Sequence, residues 1–129
     1  MAIISNMMRE EKDRLDRMKK VYMEKISQLP KGCITYKTRG NRKYAYLKYR
    51  EGKKVRTDYL KLNEKELKDL EFKIKQRRKY IKLIKDIKKD LRILGKVIKK
   101  WEVINLYFGM LLKFFQKIII LIPNYNRTI

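Results

Sequence analysis

Hydrophobic positions along the chain change period twice, and each change marks a boundary between elements. Over residues 1–29, Met8, Leu15, Met18, Tyr22, Ile26 and Leu29 recur at spacings of three or four residues or their multiples, with mixed charges between them. This is the pattern of an amphipathic helix. The helix is expected to begin near Asn6 and to stop near Gln28, because Pro30 disfavours helical geometry in Leu29. Over residues 30–62 the period falls to two. Ile34, Tyr36 and Thr38 alternate with Thr35, Lys37 and Arg39, and Gly40-Asn41 tolerates the positive φ of a tight turn. A run dense in aromatics follows over residues 44–50, then Glu51-Gly52-Lys53 as a second turn, then Val55 to Leu60 as a third extended stretch. The pattern predicts a three-stranded antiparallel meander.

Asn63 followed by Glu66 has the spacing of a capping box, so a second helix should start there and occupy residues 63–102. Its apolar residues Leu67, Leu70, Ile74, Ile81 and Ile84 make a heptad seam in which Arg77 fills one position. The seam resumes at Ile87, Leu91, Leu94, Ile98 and Trp101 after a three-residue step where four was due. Such a step overwinds a coiled coil locally without ending it. At 1.5 Å per residue, residues 63–101 would extend about 60 Å, too long for a three-stranded sheet to cover. The remainder of the seam calls for another helix: the first one folded back, or a second copy of the chain in a homodimer. A buried Arg77 argues against a long parallel dimer. The expected arrangement is therefore antiparallel, with Leu15, Met18 and Tyr22 along Leu70, Ile74 and Ile81.

Residues 103–129 begin with a stretch in which 15 of the 20 residues 103–122 are apolar, long enough to span a bilayer. Lys113 sits at its centre, where a lysine costs about 2.5–3.5 kcal/mol on insertion scales. Phe108, Leu111, Leu112, Phe115, Ile118, Ile119 and Ile122 recur at helical spacing, with Lys113 and Lys117 on another part of the surface. The segment thus reads as an amphipathic, apolar C-terminal helix. It could insert into or lie on an anionic membrane surface, pack on protein, or be a poorly ordered extension. Amphipathicity predicts recovery in the soluble fraction or release from membranes by high salt, with residues after Pro123 disordered. The fold class is α+β: N-terminal helix, three-stranded antiparallel meander, long coiled-coil helix and apolar C-terminal helix.

Charge sharpens this picture. The 129 residues carry 36 Lys or Arg and 14 Asp or Glu, a net of +22, and residues 30–62 alone hold 11 basic and 2 acidic side chains, the largest net charge of the four segments. Histidine is absent and Cys33 is the only cysteine. A His/Cys zinc site, an internal disulfide and a His-activated nucleophile are therefore excluded. Cys33 is expected to be a reduced, small buried residue. Residues 1–8 have no basic stretch before their apolar residues, so they do not read as a signal peptide, and the expected location is cytoplasmic. Most acids fall on the helices, interspersed with lysines at spacings that pair them. Only Glu51 and Asp58 lie in the sheet segment, too few for a paired-carboxylate or two-metal site, and no glycine-rich phosphate loop is present. The expectation is a non-catalytic protein without a cofactor or metal.

The sheet is where binding chemistry concentrates. If Ala45, Leu47 and Tyr49 face a helix, the pleat turns Tyr44, Tyr46, Lys48 and Arg50 outward. Lys37, Arg39 and Arg56 are expected to join that surface, with Lys53 and Lys54 beside it. Nucleic acid is the implied partner, with DNA favoured over RNA. A ribbon of this width fits the major groove of duplex DNA, where Arg and Lys reach guanine edges and phosphates. Tyrosines could instead stack on unpaired bases. The bland alternative is a solubilising face whose lysines discourage edge-to-edge aggregation.

Two resemblances follow from these residues. The segment Leu29-Pro30-Lys31-Gly32, then Lys43-Tyr44-Ala45-Tyr46-Leu47-Lys48-Tyr49-Arg50-Glu51-Gly52-Lys53-Lys54-Val55, then a strand and a Glu/Lys-rich helix, resembles a group of small uncharacterised basic proteins of low-GC Gram-positive bacteria and their mobile elements, which implies the layout rather than an activity. More distantly, the tyrosine-bearing strand, the turn at residues 50–54, the basic third strand and the next helix resemble the arm-site DNA-binding domain of tyrosine recombinases over about residues 32–75. In that family the three-stranded sheet enters the major groove, which implies contacts from Lys37, Lys48, Arg50 and Arg56. The helix before the sheet, the far longer helix after it and the lack of a recombinase catalytic domain depart from that family and leave only a shared binding mode.

Overall fold

The computed structural model describes residues 2–121. Five elements follow one another: α1 (Ala2–Ser27), β1 (Cys33–Arg39), β2 (Arg42–Glu51), β3 (Lys54–Tyr59) and α2 (Glu64–Leu121). The α+β architecture is the expected one. Helix α1 starts four residues earlier than expected. Ser5 and Asn6 lie inside the helix, where Ser5 donates its hydroxyl hydrogen bond back to the Ala2 carbonyl. The apolar segment from residue 103 is helical as expected and continues α2 without a break. Ile122 and the stretch after Pro123 lie outside the described residues.

The described residues divide into two compact units. The first, residues 16–88, holds the second half of α1, the sheet and the start of α2. The strands run in the order β1-β2-β3, both pairs antiparallel. Each hairpin closes on two residues: Arg39 pairs with Arg42 across Gly40-Asn41, and Glu51 with Lys54 across Gly52-Lys53. Gly40 and Gly52 both sit at φ 61°, while among the described residues none other than glycine has positive φ. A positive φ confined to the first central residue is the II′ turn, whose twist matches the strands it joins. Gly32 has a different reason to be glycine. Its φ is 118°, and a Cβ there would lie 2.7 Å from the Lys48 carbonyl oxygen, so the chain leaving α1 can pass over β2 only without a side chain.

One face of the sheet rests on the first turns of α2. The capping box is complete, with Glu66 N–H donating to Asn63 Oδ1 at 2.9 Å and Asn63 N–H to Glu66 Oε2 at 3.1 Å. Ile74, Ile84 and Ile87 form the buried core of this unit. Cys33, half-buried rather than buried, lines a cavity of about 210 Å³ with Ile34, Glu71, Ile74, Lys75 and Arg78. Farther along, α2 meets α1. The Tyr80 ring packs on Tyr22 at 5.3 Å and its hydroxyl accepts from Gln76, while Ile81 is left exposed. Tyr80 therefore takes the seam position expected of Ile81, and the short step falls at Arg77–Tyr80 instead of Ile84–Ile87. Arg77 gives the physical reason. Its guanidinium donates to the carbonyls of Ile26, in the last turn of α1, and Leu29, just past its end, and so needs a place at the seam's edge.

The second unit comprises residues 2–15 and 89–121. Leu15 is its buried residue and shares a cavity of about 330 Å³ with Glu11, Arg14, Asp90, Ile93, Leu94 and Val97. Arg9 pairs with Glu102 at 3.1 Å, so the two helices run antiparallel here. Leu15 thus meets Leu94 rather than Leu70, because the sheet already occupies the start of α2. Beyond Trp101 nearly every large apolar side chain of α2 is exposed, from Val103 through Phe108 and Phe115 to Leu121.

Candidate nucleic-acid interface

Register decides which side chains share a face, since residues directly opposite each other in an antiparallel pair point to the same side. Lys37 stands opposite Tyr44, Thr35 opposite Tyr46 and Arg39 opposite Arg42; on the other edge Tyr59 stands opposite Tyr46, Thr57 opposite Lys48 and Val55 opposite Arg50. The face carrying β2's Tyr44, Tyr46, Lys48 and Arg50 accordingly also carries Lys37, Arg39, Arg42 and Tyr59. It has five cations, three tyrosines and no acid.

The opposite face is the one resting on α2. Tyr36 belongs to it and donates its hydroxyl to Glu71 Oε1 at 2.7 Å, which holds the phenol above its ordinary pKa, burial and the nearby negative charge adding to the effect. Tyr49 is likewise held high, chiefly by its hydrogen bond to Asp58. Asp58 stands opposite Leu47, Arg56 opposite Tyr49 and Lys54 opposite Glu51. Both acids of the three strands therefore lie on the helix side, where Arg56 also ion-pairs with Glu51.

This geometry brings together Lys37, Arg39, Tyr46, Lys48 and Arg50 of the expected binding residues. Arg56 and Lys54 are corrections: the two-residue turn at Gly52-Lys53 fixes their register and sends them to the helix side. Lys53 sits in that turn, at the sheet's end. Arg42 and Tyr59 were missed by sequence reasoning, although counting back from the turns would have found both.

On the acid-free face, the Tyr44 and Tyr59 rings lie 6.0 Å apart and the Tyr46 and Tyr59 rings 5.4 Å apart, tilted by 57° and 55°. Lys37 Nζ stands over the Tyr46 ring at 4.9 Å. Arg39, Tyr44, Tyr46 and Tyr59 surround an open cavity of about 290 Å³. Among the described residues no cluster of three or more His, Cys, Asp or Glu side chains forms a cation site. Aromatic surface framed by cations suits a polyanion that also presents flat rings.

No curated protein and no solved structure matches the chain. Residues 8–69, slightly under half of it, match the family model described as a domain of unknown function, DUF6788; the matched part is most of α1, the whole sheet and the first turns of α2.

Proposed function

We propose that the chain is a non-catalytic nucleic-acid-binding protein that meets its ligand through the acid-free face of the sheet. The observation that carries this reading is the segregation of charge across one three-stranded sheet: Glu51 and Asp58 on the helix side, five cations and three tyrosines on the other. A face that only kept the protein soluble would gain nothing from separating the signs, and crowding like charges costs self-repulsion. DNA stands ahead of RNA on the resemblance to recombinase arm-site domains. If about four of the cations meet phosphates, log K should fall with log salt with a slope of about −3 to −4.

A net charge of +22 alone gives salt-dependent binding, so the test compares two variants of equal charge. Lys37, Lys48 and Arg50 replaced together by Ala should weaken binding of labelled DNA and flatten the salt slope. The exposed Lys85, Lys88 and Lys89 of α2 replaced by Ala should leave both nearly unchanged. Equal losses in the two variants would remove the site from the sheet.

A second reading rests on a separate observation. Helix α2 contains an 18-residue stretch apolar and long enough to cross a membrane, and none of it is buried. Lys99 and Lys100 stand two residues before the apolar segment that opens at Val103, across Trp101 and Glu102, and basic side chains near such a segment favour an anionic membrane surface. Under this reading the chain stays in the membrane pellet through alkaline carbonate. Release by salt alone, as the lysine-bearing amphipathic pattern expects, would remove it.

A further inference from the structure

The sheet's outer face can be read one step beyond a polyanion site, and the step rests on that reading. We infer that the tyrosine cavity holds an unpaired nucleobase, so that the face selects single-stranded nucleic acid over an intact duplex.

In a duplex the base faces are stacked on one another, and only base edges and phosphates are presented to a protein. Aromatic rings gain their full benefit only from a base whose face is free. Three rings converge on one cavity here, and their arrangement leaves ring faces available. The tilts of 57° and 55° set an edge of one ring toward another instead of closing the rings into a parallel stack. Tyr59 remains 45% exposed. The Tyr46 ring holds a cation over its face, Lys37 Nζ at 4.9 Å, which brings a positive charge to the ring cluster.

The cavity's size and chemistry narrow the ligand. About 290 Å³ lies at the small end of ligand clefts, which run from about 300 Å³ upward. It therefore takes one ring system, not a string of bases. Arg39 contributes the fourth wall, and a guanidinium is planar, stacks on rings and donates to base or phosphate oxygens. Lys37, Arg42, Lys48 and Arg50 share this face along the strands, available to phosphates before and after the inserted base. A tyrosine cluster that served only to cover the sheet would need none of these cations around it.

The test uses the full-length protein in a mild detergent, with three labelled probes of equal length: oligo(dT), oligo(U) and a mixed-sequence DNA duplex. Stacking of one base on an aromatic ring is lost on ring removal with a cost of about 1–3 kcal/mol, so Tyr59→Leu should weaken binding of the single strands by about tenfold. Tyr59→Phe, which keeps the ring, should change it less than twofold, and duplex binding should change little in either variant. Which of oligo(dT) and oligo(U) binds more tightly separates DNA from RNA as the source of the base. Photocrosslinking of bromouracil-substituted oligonucleotides gives a readout independent of variant stability, with adducts expected on Tyr44, Tyr46 or Tyr59. Equal effects of Tyr59→Leu on duplex and single strands, or adducts confined to α2, would overturn the base pocket while leaving nucleic-acid binding in place. Failure of all three probes to bind would overturn the broader reading.

Discussion

The two faces of the three-stranded sheet are built from the same strands and nearly the same residue types, yet they have opposite organisation. On the helix side each tyrosine and cation that the structure pairs has a carboxylate partner: Tyr36 with Glu71, Tyr49 with Asp58, Arg56 with Glu51. On the outer side tyrosines pack on tyrosines and a lysine sits over a ring. Composition alone does not separate structural from binding residues in so basic a segment. Pairing does, because a cation with its own carboxylate already has its counter-charge, whereas a row of cations without acids calls for one from outside.

The largest expected effect tests the helix side as the structural one. Ile74→Ala removes a buried side chain between the sheet and α2, and should lower stability by about 2–5 kcal/mol in chemical denaturation, with DNA affinity unchanged under conditions where the variant is folded. An affinity loss at full folding would mean that the faces are not independent. Next comes Gly32→Ala. The added Cβ meets a backbone carbonyl at a φ that side chains rarely adopt, and strain of this kind costs about 1–3 kcal/mol, read as a lowered melting temperature.

Smaller but more discriminating is the pair Arg50→Ala and Arg56→Ala. These two arginines flank the second turn at similar distances along the chain and differ in the face they occupy. Arg50→Ala should weaken DNA binding several-fold and lessen the salt slope by about 0.7–0.9, while Arg56→Ala should leave both near wild type. Arg56 loses only an exposed ion pair, which contributes about 0–1 kcal/mol. Matching losses would erase the distinction between the faces. The smallest effect is alkaline. The folded pKa of Tyr36 lies above its ordinary value because the phenol donates to Glu71. Its stabilisation is therefore fully present below the ordinary phenol value near 10 and is lost as pH rises through the raised one. Tyr36→Phe should flatten the decline in melting temperature above pH 10; an unchanged decline would assign it to other groups.

Much of the fold could be read from the chain because local signals agreed with tertiary demands. Pro30 ended α1, Asn63 and Glu66 opened α2, and the two glycine turns delimited the strands. The misplaced residues share one cause. Alternation within β3 leaves its face open, and only the two-residue turn at Gly52-Lys53, which pairs Arg56 with Tyr49, decides it. The Ile81 position failed for another reason. A heptad pattern records which positions can be apolar, whereas the displacement toward Tyr80 comes from a hydrogen-bonding need at the far end of another helix. The offset of α1 along α2 was likewise hidden, since it depends on how much of α2 the sheet occupies.

That hydrogen-bonding need has a consequence for how the chain avoids mispairing. A long seam of leucines and isoleucines is nearly degenerate under a slide of one heptad, because each apolar side chain would find another of its kind. A guanidinium gripping the carbonyls of Ile26 and Leu29 breaks that degeneracy. A slide by seven residues would carry Arg77 about 10 Å from the two carbonyls it holds and leave a charge stranded in an apolar groove. The polar interruption therefore acts as an index mark. It selects one alignment of the two helices from several of similar apolar contact, and with it the point at which the chain turns out of α1 toward the sheet.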